Sequence, residues 1–172
     1  MEEELLVSAA VLILKDGRVL LARRAPGRTH GGLWEFPGGK VESRETPEES
    51  LVRELREELS LEVEVMEPLA RVGGHLPSGR PLRLLAFRVR ARNPRPDWVR
   101  NGLDLGPEEA RQRGLPDHDA ITWAEPGLLA RYPMPAVDLE LTRWLCPSPP
   151  SAEPLQESSP TRPGPRAPRR GP

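Results

Sequence analysis

Leu6 to Ile13 is a nearly unbroken apolar, β-branched run that ends at the turn signal Lys15-Asp16-Gly17, the pattern of a strand entering a tight turn. Arg18 to Arg23 then alternates, with Val19 and Leu21 on one face, so the two segments are expected to pair as a hairpin. Ala25 to Leu33 reads as a Gly-rich loop, and Trp34-Glu35-Phe36 as a short strand running into Pro37-Gly38-Gly39. The period changes next. Leu51, Val52, Leu55 and Leu59 form a helical apolar stripe. Thr46 is a natural N-cap, Pro47 suits the first helical position, and Glu49 completes a T-x-x-E capping box. Beyond the helix, Leu61–Val65 and Leu82–Val89 predict strands, with Leu69–Val72 a short separate segment after the interruption at Pro68. Pro77-Ser78-Gly79 reads as a hairpin turn. Residues 93–117 are a Pro- and Gly-rich excursion holding a short helix at Pro107–Gln112. Ala120–Trp123 predicts a strand, and Leu128–Tyr132 and Val137–Leu145 predict helices. Strands and helices thus interleave in an α/β pattern with antiparallel pairing.

Composition narrows this picture. A chain of 172 residues suffices for one domain with a real core. A net charge of −1 gives no global basic field to draw in nucleic acid, so no nucleic-acid partner is expected. A single cysteine, Cys146, excludes an internal disulfide and a cysteine zinc site. No apolar run reaches the roughly 18 residues of a membrane helix, and no signal-peptide pattern opens the chain, so a soluble, cytoplasmic protein is expected. From Pro147 the sequence turns to Pro, Ser, Arg and Gly with few apolar residues. The domain is therefore expected to span 1–145, with 146–172 a disordered tail. Arg166, Arg169 and Arg170 either touch RNA or an acidic surface there or stay solvated.

The chemistry concentrates on the helix. Glu54, Glu57 and Glu58 sit at i, i+3 and i+4 beside the apolar stripe, on one side of the helix. Unpaired, they repel one another. A hard divalent cation removes that repulsion, and Mg²⁺ held by carboxylates plus substrate phosphates is the usual case. The alternative is a solvated acidic face, as charge runs usually are. Gly74 to Pro81 carries the frame of a phosphate loop but has Arg and Pro where Lys and Ser/Thr belong. His30 and His75 have no second His or Cys at ligand spacing.

The stretch from Gly39 to Leu61 resembles the Nudix box, G-x5-E-x7-R-E-U-x-E-E-x-G-U with U a bulky aliphatic. Gly39, Glu45, Arg53, Glu54, Leu55, Glu57, Glu58 and Leu61 fall at the required spacing. Ser60 departs from it, standing where the family has Gly in a left-handed turn. The resemblance extends over 6–145, and Leu33-Trp34-Glu35-Phe36-Pro37-Gly38-Gly39-Lys40 is similar to the MutT-type branch.

That resemblance implies a Nudix-type α/β/α sandwich with a mixed sheet. It also implies hydrolysis of a nucleoside triphosphate, a small-molecule partner, to a monophosphate and pyrophosphate. The cofactor would be Mg²⁺, with Mn²⁺ as a substitute. The branch includes enzymes for cytosine nucleotides and for 8-oxo-dGTP. Carried over by motif, Glu54, Glu57, Glu58 and the Gly38 carbonyl are metal ligands. Glu54, Glu57 or Asp117 takes the proton of the attacking water, unless Asp117-His118-Asp119 is only a polar turn. Arg53 holds a box carboxylate by a bidentate pair, with Glu45 in the same network. Arg24 meets substrate phosphates or is a solvent-facing strand end. Phe36 is expected to line the nucleoside pocket, and Asp138 to read the base edge or merely to cap a helix. Nudix folds also serve as binding or regulatory modules, usually with a damaged box, whereas the ligand positions here are intact.

Overall fold

The computed structural model describes residues 3–93 and 95–146. Strand β1 (Leu5–Leu12) sends Ala10 and Leu12 into one buried cluster and Ala9 and Val11 into another. Strand β2 (Val19–Arg24) divides likewise, with Leu20 on the first side and Val19 and Leu21 on the second. Strands apolar on both faces need a cover on each. Helix α1 (Pro47–Leu59) gives Leu51, Leu55 and Leu59 to the first cluster, and α4 (Ala136–Leu145) gives Val137 and Leu141 to the second. The result is the expected α/β/α sandwich.

Two sheets lie between the helices. One has the order β4 (Gly38–Lys40), β1, β6 (Pro81–Ala91), β5 (Val63–His75), and the other the order β3 (Trp34–Glu35), β2, β7 (His118–Ala124). Strands β1 and β6 run parallel, from Leu5 opposite Leu82 to Leu12 opposite Val89, and the remaining pairs are antiparallel, so the sheet is mixed.

The expected β1–β2 hairpin does not form beyond one bridge, Ile13 to Val19. A strand has two hydrogen-bonding edges. Those of β1 are taken by β4 and β6, and those of β2 by β3 and β7. Strand β5 runs through Pro68 without ending, because register shifts on both sides of Pro68 absorb the missing donor. His118 and Asp119 belong to β7 rather than to a polar turn. The excursion contains the expected helix, α3 (Pro107–Gln112), and one not anticipated, α2 (Asp97–Arg100). Helix α2 buries Trp98 against Trp123. The helix expected at Leu128–Tyr132 is a 3-10 helix, Pro126–Arg131. Cys146, assigned to the tail by sequence, packs beside the second cluster and donates its thiol to the Pro126 carbonyl at 2.7 Å. The rest of the expected tail lies outside the described residues. Among the described residues no helix is long and apolar enough to cross a membrane.

Candidate functional site

Strand β4, Gly38-Gly39-Lys40, pairs with β1 and is pressed against α1. A side chain on Gly38, at φ +155°, would meet the Ser8 backbone, and one on Gly39 would meet the Glu54 carboxylate. Two buried hydroxyls fasten the contact. Ser8 and Ser50 share a 3.2 Å hydrogen bond, and Ser50 donates to the Lys40 carbonyl at 3.2 Å. The helix start that fixes this approach is the capping box. Thr46 Oγ1 accepts from the Glu49 amide, and Glu49 accepts from the Thr46 amide.

Arg53 is the hub of the box. Its Nε and Nη2 donate to the two Glu45 oxygens at 3.1 and 2.6 Å. Its Nη1 donates to Glu54 at 2.8 Å and Glu57 at 3.3 Å, and Nη2 also reaches the Lys40 carbonyl. These bonds hold Glu45 ionised, with its pKa lowered to about 2. Burial pushes Glu54 up, against the pull of Arg53.

Glu58 belongs to a second, deeper group. It is 6% exposed, and its Oε2 has no hydrogen-bond partner among the described residues. Burial raises its pKa to about 8, the Glu35 charge adds to the rise, and Arg24, 3.9 Å away, opposes it. Arg24 Nε lies 2.9 Å from Glu35 Oε1 as an ion pair without hydrogen-bond alignment. The same Glu35 oxygen shares a 2.9 Å hydrogen bond with Nε2 of the fully buried His118. Asp117, just before β7, pairs with Arg28 at 3.0 Å. It is near enough to Glu58 for its charge to raise the Glu58 pKa.

Trp34 and Phe36 face the opposite side of β3 from Glu35, in or against the α4 cluster. Phe36 is 3% exposed, so its ring is buried. The partly exposed aromatics beside it are Trp34 and Tyr132, packed edge-to-face at 5.4 Å, with Arg23 over the Trp34 ring. Arg23 is itself held by Asp119 in a two-bond pair. Asp138, on the first turn of α4, accepts the Phe36 amide at 2.9 Å, and burial raises its pKa to about 7. It therefore ties α4 to β3 rather than capping its own helix.

The structure thus gathers Glu45, Arg53, Glu54 and Glu57 in one network and Arg24, Glu58 and nearby Asp117 in an adjoining one. Phe36 and Asp138 lie across β3. Glu35 and His118 join the second network without having been singled out by sequence. The only signal was a charged residue between two aromatics. Among the described residues no three His, Cys, Asp or Glu side chains stand close enough to hold a metal ion as they are. Three box carboxylates, Glu45, Glu54 and Glu57, are held by Arg53, and the fourth, Glu58, turns toward Arg24.

The NUDIX domain family model matches residues 4–145. The CTP pyrophosphohydrolase of Escherichia coli (strain K12) is 38% identical over 132 residues, covering 77% of this chain and 84% of that protein. The 8-oxo-dGTP diphosphatase of Proteus vulgaris is 48% identical over 63 residues, covering 36% of this chain and 55% of that protein. Among solved structures, the solution structure of the E. coli ORF135 protein superposes with a TM-score of 0.61 at 31% identity, covering 85% of this chain and 91% of that one.

Proposed function

The chain belongs to the NUDIX family and is a Nudix hydrolase acting on nucleotides, and we propose that it converts a nucleoside triphosphate to a monophosphate and pyrophosphate with Mg²⁺. The observation that carries this reading is the packing of an intact carboxylate set against a glycine turn, with a buried Glu58 oxygen left unpartnered among the described residues. That donor set is all oxygen and strongly anionic, which fits a hard divalent cation. Glu54, Glu57, Glu58 and the Gly38 carbonyl would hold it. When bound, Mg²⁺ neutralises phosphate charge and acidifies water, and Mn²⁺ can stand in for it.

The chain's own residues do the rest. Arg53 fixes the carboxylate geometry through its bonds to Glu45, Glu54 and Glu57. Arg24, paired with Glu35, offers its remaining guanidinium donors to the phosphate chain. Water oxygen bonds to the β phosphorus in line, and the β phosphorus–bridging oxygen bond breaks. The monophosphate leaves with that oxygen, and the water proton passes to Glu54, Glu57 or Asp117. Trp34 and Tyr132 offer faces to the base beside Phe36, and Asp138 reads its edge. The relatives' substrates mark the panel: cytosine nucleotides and 8-oxo-dGTP.

The test is Mg²⁺-dependent product analysis on that panel. Monophosphate and pyrophosphate are expected in equal amounts, and release of orthophosphate instead would refute the cleavage position. Glu57→Gln and Glu58→Gln are each expected to lower turnover about a hundredfold or more through loss of a ligand charge. Wild-type turnover in either variant would remove that residue from the ligand set.

A further inference from the structure

A cavity of about 810 Å³ contains none of the box carboxylates. It opens where the turn after β1 meets the far end of β6 and the turn after α2. Arg18 precedes β2 and Arg24 ends it, so about 20 Å of extended chain separates this cavity from the Arg24–Glu58 group. Its volume is that of a site for a small ligand.

Its lining is strongly one-signed. Lys15, Arg18, Arg88, Arg90, Arg95 and Arg100 surround it, against only Asp16 and Glu67. This concentration occurs in a chain whose net charge is −1. The pairing of these cations is incomplete. Arg18 is held by Asp16 at 2.9 Å and Arg90 by Glu64 at 2.6 Å. Arg88 reaches Glu67 only at 3.6 Å, and Arg95 donates only to the Ala91 carbonyl. Among the described residues, Lys15 and Arg100 form no ion pair or side-chain hydrogen bond, although both are exposed at the rim. Arg100 also lies near enough to Asp97 to help lower its pKa; six cations with fewer carboxylates still repel one another, and a bound anion relieves that cost.

The cavity also lacks what nucleic-acid strands use. It has no aromatic side chain on which a base could stack. Its uncharged walls are mostly apolar side chains such as Leu12, Met66 and Val99, with Asn101 the polar exception among the described residues. We infer that this cavity is a second anion site, separate from the hydrolytic centre, that takes the di- or triphosphate chain of a small molecule. The inference is independent of the reaction proposed above, because it uses none of its residues.

Calorimetric titration of tripolyphosphate into the full chain tests it, in low salt with EDTA present so that no metal-bound phosphate forms at the carboxylates. Saturable binding near one per chain is expected, in wild type and equally in Glu57→Gln. In Lys15→Glu/Arg100→Glu the affinity should fall by at least about tenfold, as reversal of two nearby charges demands. Nucleotide turnover of that variant with Mg²⁺ should be retained. If charge reversal lowers the melting temperature, Lys15→Gln/Arg100→Gln serves instead, with a smaller loss of affinity in the same direction. A parallel titration with a nucleoside triphosphate tells whether the aliphatic wall adds affinity to the phosphate chain alone. Absence of saturable binding to wild type, or unchanged affinity in both double variants, would overturn the assignment.

Discussion

Asp138 shows how one side chain carries two consequences. Its pKa is raised to about 7, against an ordinary value of 3.8. Between those values the native state holds a proton that the unfolded chain has lost. Stability therefore falls as pH rises through this window. Asp138→Asn keeps an acceptor for the Phe36 amide and removes the titration. It should flatten the pH dependence of the melting temperature between about 4 and 7, where each pKa unit of difference is worth about 1.4 kcal/mol. An unchanged slope would mean that Asp138 does not titrate in the native state. On the proposed reading of Asp138 as a base-edge contact, the same proton bears on base choice. An ionised Asp accepts from the cytosine amino group, whereas a protonated one donates to the O6 of an oxidised guanine. Preference for CTP over 8-oxo-dGTP should rise with pH through about 7. In Asp138→Asn the cytosine reaction should weaken by about 1–3 kcal/mol and relative 8-oxo-dGTP turnover increase. A ratio of kcat/KM values indifferent to both pH and substitution would sever Asp138 from recognition. At this scale the sequence was legible where a motif names the residue, as with Glu45 and Arg53. It was silent on His118, whose partner Glu35 lies 83 positions away and is brought to it only by the pairing of β2 with β3 and β7.

Helix α1 was legible because its signals are local: a cap, a box, a Pro at the first turn and a stripe of Leu. Its far end was legible as well. Ser60, where the motif has Gly, sits at φ 51° and ψ 37°, in the left-handed region. An L-residue pays about 1–2 kcal/mol there, offset in part by the greater chain entropy that Gly loses on folding. Ser60→Gly should raise stability by about 0.5–1 kcal/mol without altering kcat, since the Ser60 amide still donates to the Arg56 carbonyl. Chemical denaturation would read this as a higher midpoint at constant slope, and a lower midpoint would argue against the left-handed geometry. The β1–β2 turn failed as a hairpin for the opposite reason. Strand pairing depends on which edges remain open, and the edges of β1 are filled by β4 and β6, both from beyond β2 in the chain. Helix α2 escaped notice because four residues carry no helical period, and its Trp98 is held by tertiary contact with Trp123.

For the whole molecule, the family match ends at residue 145, and the stretch from 147 to 172 is poor in apolar residues. Removing 147–172 is expected to leave kcat/KM for free nucleotides and the melting temperature unchanged, and a substantial loss of either would show that this segment contributes to the domain. The remaining prediction joins fold to chemistry. Glu54, Glu57 and Glu58 place three carboxylates on one helix that also anchors the first core cluster. Without a cation Glu54 and Glu57 rest on Arg53, and the buried Glu58 oxygen goes without a partner among the described residues. A ligand that binds only the folded state stabilises it by mass action, about 2.7 kcal/mol at a concentration a hundred times its Kd. Mg²⁺ should therefore raise the melting temperature of the wild type in a saturable way. Glu58→Gln should behave inversely. It should be at least as stable as wild type in EDTA, because a desolvated carboxyl with an unpartnered oxygen is replaced by a neutral amide, and gain little on adding Mg²⁺. If Mg²⁺ stabilised Glu58→Gln as strongly as wild type, the cation would be held elsewhere, and the helix carboxylates would have to be explained by Arg53 alone.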